Sequence, residues 1–245
     1  MVKIYRAAQQ WNQWLSQALG RHVLEAEKNF LIKSLAAYYG KHAVLVGVPE
    51  QNELLKASVT AHQVMLTPLT DKTRNIKTIE GDFDELPLAS GSVDLVMLPH
   101  SLEYTDNPRQ LLAEACRIVK PEGHIIIAGF NPLSFWGLKK TLTRNKKSPW
   151  NNNFIQSATV KKWLNLADFE LVKHDFIWHK PPSCGPSLFL KLFDGIGRVF
   201  LRPTGGIYIL IAKAKITSLT PIRLRLQQTF SNIRVSIPKP SMRRF

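Results

Sequence analysis

The stretch GDFDELPLASGSVDLVMLPHSLEYTDNPRQLLAEACRIVKPEGHIIIAGFNP, from Gly81 to Pro132, decides the fold of this 245-residue chain. It sets out in order an acidic loop, an apolar run over Val93–Leu98, a helix over Pro108–Val119, a Pro-Glu-Gly turn and a second apolar run over His124–Phe130. Pro108 suits the first helical position because the N–H it lacks would be unpaired there, and Asn107 before it is a plausible N-cap. Apolar runs of strand length are what strands buried on both faces look like. Strand, helix, strand in this order is the repeating unit of a parallel sheet.

The same grammar extends outward. Upstream, apolar positions recur at helical spacing over Ala7–Leu19 and His22–Tyr39, with Leu24, Leu31, Leu35 and Tyr38 on one stripe and Gly40 placed as a C-cap. Trp11 and Trp14 share a helix face. His42–Val48 (HAVLVGV) is a further buried strand, Glu50–Ser58 is helix-like, and His62–Leu66 and Ile76–Glu80 are short strands. Downstream, Ser157–Leu166 is a helix with Ser157 as its N-cap, and Phe169–Trp178 and Gly206–Ala214 are the last two strands. Strands alternating with helices predict an α/β, doubly wound sheet. The organisation read from the chain is an N-terminal helical cap over 1–40, a main domain over 41–214 interrupted by a Pro-, Gly- and Phe-rich cap insertion over 179–205, and a basic extension over 215–245.

Charge divides the chain. Residues 1–130 hold 13 Lys/Arg against 14 Asp/Glu; residues 131–245 hold 20 against 4, and no acid follows Asp194. Such asymmetry favours an anionic partner, whether nucleic acid, an acidic membrane surface or an acidic substrate, with 139–147 and 215–245 as the segments for polyanion binding. A solvated tail that aids solubility is the alternative. Nothing approaches the roughly 18 apolar residues of a membrane span, and the first residues lack the apolar core of a signal peptide. Two separated cysteines, Cys116 and Cys184, suggest neither a disulfide framework nor a metal site. A cytoplasmic location is the expectation.

With its acidic loop, paired buried strands and Pro-Glu-Gly turn, the Gly81–Pro132 stretch resembles the class I S-adenosylmethionine (SAM)-dependent methyltransferases, most closely the type 11 small-molecule branch. The resemblance covers about 40–214. It implies a Rossmann-like seven-stranded mixed sheet with helices on both faces, the final strand running antiparallel beside the sixth, N-terminal helices over the cofactor pocket, and SAM as cofactor. Where that family carries a glycine-rich loop after the first strand, this chain has Gly47-Val48-Pro49-Glu50. Pro49 has no N–H to donate and a fixed φ. The pairing of PHSLEY with GFNPLSFWG is similar to a bacterial subgroup with an equally degenerate first loop.

In an open α/β sheet, ligands bind at the carboxyl ends of the strands. The residues standing there are the candidates. For the cofactor they are Gly47, Glu50, Thr67, Asp82, Phe83 and Pro99. Glu50 either reaches the SAM amino group or is a first-turn helix acid; Thr67 either replaces the ribose-binding acid with one hydrogen bond or ends a strand. The resemblance places Asp82 on the adenine amine, with Phe83 packing on the ring. Asp94 is expected to fix the start of its strand. His100 has the ordinary pKa of a general base, and Asn131 could orient a hydroxyl or amine, so these two are the catalytic candidates. Phe135 and Trp136 are candidates for the acceptor pocket. Pro99-His100-Ser101 departs from the Asn/Asp-Pro-Pro-aromatic tetrad of nucleobase N-methyltransferases. Three functional readings follow: a SAM-dependent methyltransferase of unknown acceptor with a weakened cofactor site; a catalytically inactive relative that binds nucleic acid or another anionic partner through its basic half; and a peripheral membrane protein using the tail and Leu188–Phe193.

Overall fold

A computed structural model describes residues 2–36, 38, 40–69, 77–142, 153–179 and 205–215. The chain opens with α1 (Val2–Leu15) and α2 (Ala18–Leu35), then β1 (His42–Val46), a 3-10 helix over Pro49–Ala57, β2 (His62–Thr67), β3 (Thr78–Glu80) and β4 (Val93–Pro99). A single turn, α3 (Ser101–Tyr104), leads into α4 (Pro108–Ile118), β5 (Val119–Phe130), α5 (Phe135–Leu142), α6 (Ser157–Leu166), β6 (Phe169–Ile177) and β7 (Ile207–Ala214). Among the described residues the seven strands form one sheet in the order β3-β2-β1-β4-β5-β7-β6. β1 to β5 run parallel, and β7 lies antiparallel between β5 and β6. This is the Rossmann-like mixed sheet that the sequence predicts.

β1, β4, β5 and β7 are buried along nearly their whole length, in keeping with their continuous apolar runs. Asp94 fastens the amino-terminal edge. Its Oδ2 accepts the backbone N–H groups of Lys41 and His42, and Lys120 Nζ bridges both carboxylate oxygens at 2.9 and 3.0 Å. Burial pushes Asp94 up, but Lys120 and the two N–H groups outweigh it and hold the carboxyl below its usual value. One side chain thus ties the starts of β1, β4 and β5 together, the structural role its position suggested.

Several local expectations are corrected. α1 and α2 lie a few residues nearer the N-terminus than the periodicity placed them, and Gly40 stands beyond the helix end, where an added Cβ would meet Asp94 Cβ at 2.6 Å. Gly is required there by close approach to β4, not by a helix cap. Glu50–Ser58 folds as a 3-10 helix from Pro49 to Ala57. β5 begins at Val119 rather than His124, with an irregularity in its pairing between Val93 and Leu95. Asn107 makes no capping hydrogen bond; its Nδ2 donates to Asp84 Oδ2 at 3.2 Å, joining α4 to the acidic loop. Ser157 is the first helical residue, with Gln156 ahead of it. The cap insertion, but for its end residues, and the extension beyond residue 215 lie outside the described residues.

Candidate active site at the carboxyl edge of the sheet

The carboxyl ends of β1, β4 and β5 meet under α1, and what fills that junction is protein. β1 gives way to Gly47, whose missing side chain makes room for Gln51: a Cβ on Gly47 would lie 2.4 Å from Gln51 Oε1. Gln51 is fully buried, its Oε1 accepting the Val48 N–H at 3.0 Å and its Nε2 donating to the Pro99 carbonyl at 2.7 Å. The next N–H, of Glu50, donates to Asn12 Oδ1 on α1 at 2.9 Å. With Pro49 lacking a donor, the Val48 and Glu50 N–H groups are turned inward to side chains of the chain itself, and the Gly47 N–H donates to the Leu66 carbonyl at 2.9 Å. Pro99 takes part through its carbonyl.

At the next two strand ends, Thr67 is buried and its Oγ1 accepts the Leu69 N–H at 3.2 Å, the turn that ends β2. Asp82 is half-buried, with Oδ1 accepting the Asp84 N–H at 3.2 Å. Phe83 is fully buried with its ring 6.0 Å from Tyr104, so it packs in the core and does not offer an open stacking face.

β4 ends in a residue with backbone in the left-handed region, His100 at φ 59, a conformation that a non-glycine residue holds only when its surroundings insist. The surroundings do. Its N–H donates to the Ala128 carbonyl at 2.9 Å, its Nε2 lies 2.6 Å from Glu27 Oε1 of α2, and its Nδ1 lies 3.0 Å from Glu103 Oε2 of α3. Glu103 also accepts the Phe130 N–H. All three side chains are shielded from water. Burial alone pushes an imidazolium down, but the two carboxylates overturn that and raise His100 to about 10. Glu103 is pushed up, burial outweighing the pull of the imidazolium. The charged histidine between two acids is the stable arrangement, because a neutral imidazole could donate to only one of them.

The structure thus places His100, the candidate general base, between two acids and away from water. A general base needs a free lone pair and reach to the substrate; here both ring nitrogens are engaged by acids and the ring is sealed from solvent. Asn131 is likewise committed: buried, with Nδ2 donating to the Gly205 carbonyl at 3.0 Å and Oδ1 accepting the Leu133 N–H at 3.1 Å, it shapes the turn after β5. The acceptor-pocket pair is split. Trp136 is fully buried and stacked on Phe130 at 4.6 Å and 14°, whereas Phe135 is 41% exposed on the outer face of α5. Gly137 explains how α5 comes so close: a Cβ there would sit 1.9 Å from the Pro132 carbonyl oxygen.

Over this edge α1 lays Trp11, fully buried, stacked on Trp14 at 4.9 Å and packed against His100 at 5.2 Å and against Tyr104 and Phe130, each at 6.0 Å. Trp11 Nε1 and Glu27 Oε2 are buried with no hydrogen-bond partner among the described residues. Sequence reasoning missed Asn12, Glu27, Gln51 and Glu103. Two of them carried a signal. Glu27 interrupts the apolar stripe Val23, Leu31, Leu35 at four-residue spacing, and Glu103 stands three residues after His100, within reach across one helical turn. Asn12 and Gln51 carried none.

Residues 31–127 match the family model described as a methyltransferase domain. Among curated proteins, the chain is similar to the uncharacterized protein YafS of Escherichia coli (32% identical over 147 residues, 58% of this chain and 60% of that protein). It is also similar to a malonyl-[acyl-carrier protein] O-methyltransferase of Laribacter hongkongensis (30% identical over 88 residues, 36% of this chain and 30% of that enzyme). The chain therefore spans less than two thirds of either relative. Among solved structures, a SAM-dependent methyltransferase from Thermotoga maritima, a possible histamine N-methyltransferase, superposes with a TM-score of 0.66 at 19% identity, over 85% of this chain and 100% of that one. The last is a likeness of fold.

Proposed function

We propose that this chain, whose residues 31–127 match a methyltransferase-domain model, is a SAM-dependent methyltransferase whose cofactor site is weakened and is closed by α1. The observation that carries this reading is the methyltransferase-domain match, which runs through the first loop, the Asp82 segment and the His100 strand end. SAM, the cofactor of that family, supplies an electrophilic methyl group on a sulfonium. The methionine half of its site does not fit the chain as folded: Gln51 and Asn12 hold the loop N–H groups, and Trp11 stands over the strand ends. Asp82, half-buried at the end of β3, is the group left to meet the adenine amine. The methyl acceptor is a separate question, on which Trp136 and Asn131 bear only by walling the turn after β5.

The test is a calorimetric titration with SAM and its demethylated product. Weak binding is expected, because the backbone cradle is absent and Thr67 stands where an acid would grip the ribose. Asp82→Ala should abolish what binding there is, while Pro49→Gly should leave it equal or improve it. Tight binding indifferent to Asp82 would overturn this placement.

A second reading is a non-catalytic domain that has kept the fold. The inward-turned loop favours it, since Gln51 and Asn12 between them take up the Val48 and Glu50 N–H groups a ligand would use. No binding of either nucleoside in the titration, with Trp11→Ala included, would establish this reading over the first. Its nucleic-acid form rests on 139–147 and 215–245, most of which lies outside the described residues.

A further inference from the structure

We propose that the outer face of α5 is a docking surface for an anionic lipid bilayer. α5 is apolar on two sides. Trp136 and Gly137 face the core and are buried. On the opposite side Phe135, Leu138 and Leu142 fall within one narrow arc of the helical wheel, and they are 41, 54 and 76% exposed. Leu133, 69% exposed, extends the patch into the turn ahead of the helix. Scattered single leucines on a surface are ordinary, but four large apolar side chains exposed within ten consecutive residues form a patch that calls for a partner.

The charge pattern says which one. Lys139 lies beside this arc on the same helix, whereas the Lys140 ammonium turns back over the Phe154 ring at 4.5 Å; in sequence the run Lys139–Lys147, KKTLTRNKK, holds five basic residues and no acid. Leucine and phenylalanine in an arc, followed along the chain by a run of lysine and arginine without acids, is the composition of segments that lie in the headgroup region of a bilayer. Each basic residue close to an anionic leaflet adds about 1 kcal/mol of attraction. A nucleic acid would use the lysines and could stack a base on Phe135, but three exposed leucines match a continuous apolar phase better than isolated base faces. A protein partner would need an apolar groove rimmed with acids; a bilayer presents both chemistries together. Among the described residues no helix is long and apolar enough to cross a membrane, so the contact is a surface one. The inference does not depend on whether SAM binds.

The experiment is co-sedimentation of the full chain with vesicles of phosphatidylcholine containing phosphatidylglycerol, and with vesicles of phosphatidylcholine alone. Binding is expected to the mixed vesicles, to weaken as salt screens the charges, and to be slight to the neutral ones. Leu138→Gln with Leu142→Gln changes no charge and should reduce mixed-vesicle binding about tenfold or more, through the loss of two inserted side chains. Both positions are exposed, so the thermal melt of this variant should match wild type and verify that it is folded. Undiminished vesicle binding by the folded double variant would overturn the proposal, since attraction would then come from charge alone. So would absence of binding at low salt, or displacement from vesicles by an oligonucleotide that the wild type and the variant bind equally.

Discussion

Replacing His100 with alanine is expected to lower the melting temperature by about 6–20 °C, whatever it does to a reaction. Removing the imidazolium leaves Glu27 and Glu103 buried and facing one another across a void. Breaking a buried charge cluster by taking away one partner costs about 3–5 kcal/mol, and in a chain of this size each kcal/mol moves the midpoint by about 2–4 °C. The pH dependence gives the second readout. His100 is raised from 6.5 to about 10 on folding, so its contribution is complete below pH 6.5 and is lost as pH rises toward 10. Glu103, also raised from 4.5, has the same sign, its contribution being complete below pH 4.5 and lost as pH rises above that. Wild type should therefore lose stability between neutral and alkaline pH. His100→Ala should lack that loss above neutrality and should gain stability on acidification, as its two orphaned acids take up protons. A variant that melts with wild type at neutral pH would show that the cluster does not exist as described.

Trp11→Ala should move stability and binding in opposite directions. The indole is fully buried among Trp14, His100, Tyr104 and Phe130, and large-to-small changes of this kind cost about 3–5 kcal/mol. Yet the same ring stands over the strand ends where the family binds its cofactor. If α1 must lift before SAM enters, the closed form reduces apparent affinity by its population, and weakening the closed form restores it. About tenfold tighter SAM binding is expected from calorimetry on the folded variant. The unpartnered Trp11 Nε1 and Glu27 Oε2 make the closed form less secure than its packing suggests, since each unmet polar group forfeits about 1–3 kcal/mol. Unchanged or weaker binding by a folded Trp11→Ala protein would mean that α1 is a permanent part of the core.

The strands were legible because burial on both faces leaves an unbroken apolar run, and Asp94 was legible because an acid at the start of such a run needs a purpose. The site was read less well. His100 at a strand end carries the same letters whether it faces a substrate or two acids. Its partner Glu27 lies 73 residues away along the chain, and only the tertiary fold brings α2 over β4. Phe135 and Trp136 are adjacent in sequence but point to opposite sides of α5, a distinction that depends on where that helix starts. The missing glycine loop was plain to see; that Gln51 would occupy its place was not, because a glutamine at that spacing has many other fates.

β7 enters the sheet between two strands that precede it, and this sets a constraint on synthesis. From the moment Phe130 leaves the ribosome until Ile207 follows, the edge of β5 that will receive β7 has no mate. That edge is carried by Ile125, Ile126 and Ile127, a short β-branched run of the kind that pairs with other chains when left bare. Long-range pairings of this sort form late and lengthen the period of exposure. A nascent chain stalled before residue 207 is expected to aggregate or to hold a chaperone, while one released after Ala214 should not. Equal solubility of the two truncated products would show that β5 is guarded by something other than its final neighbour.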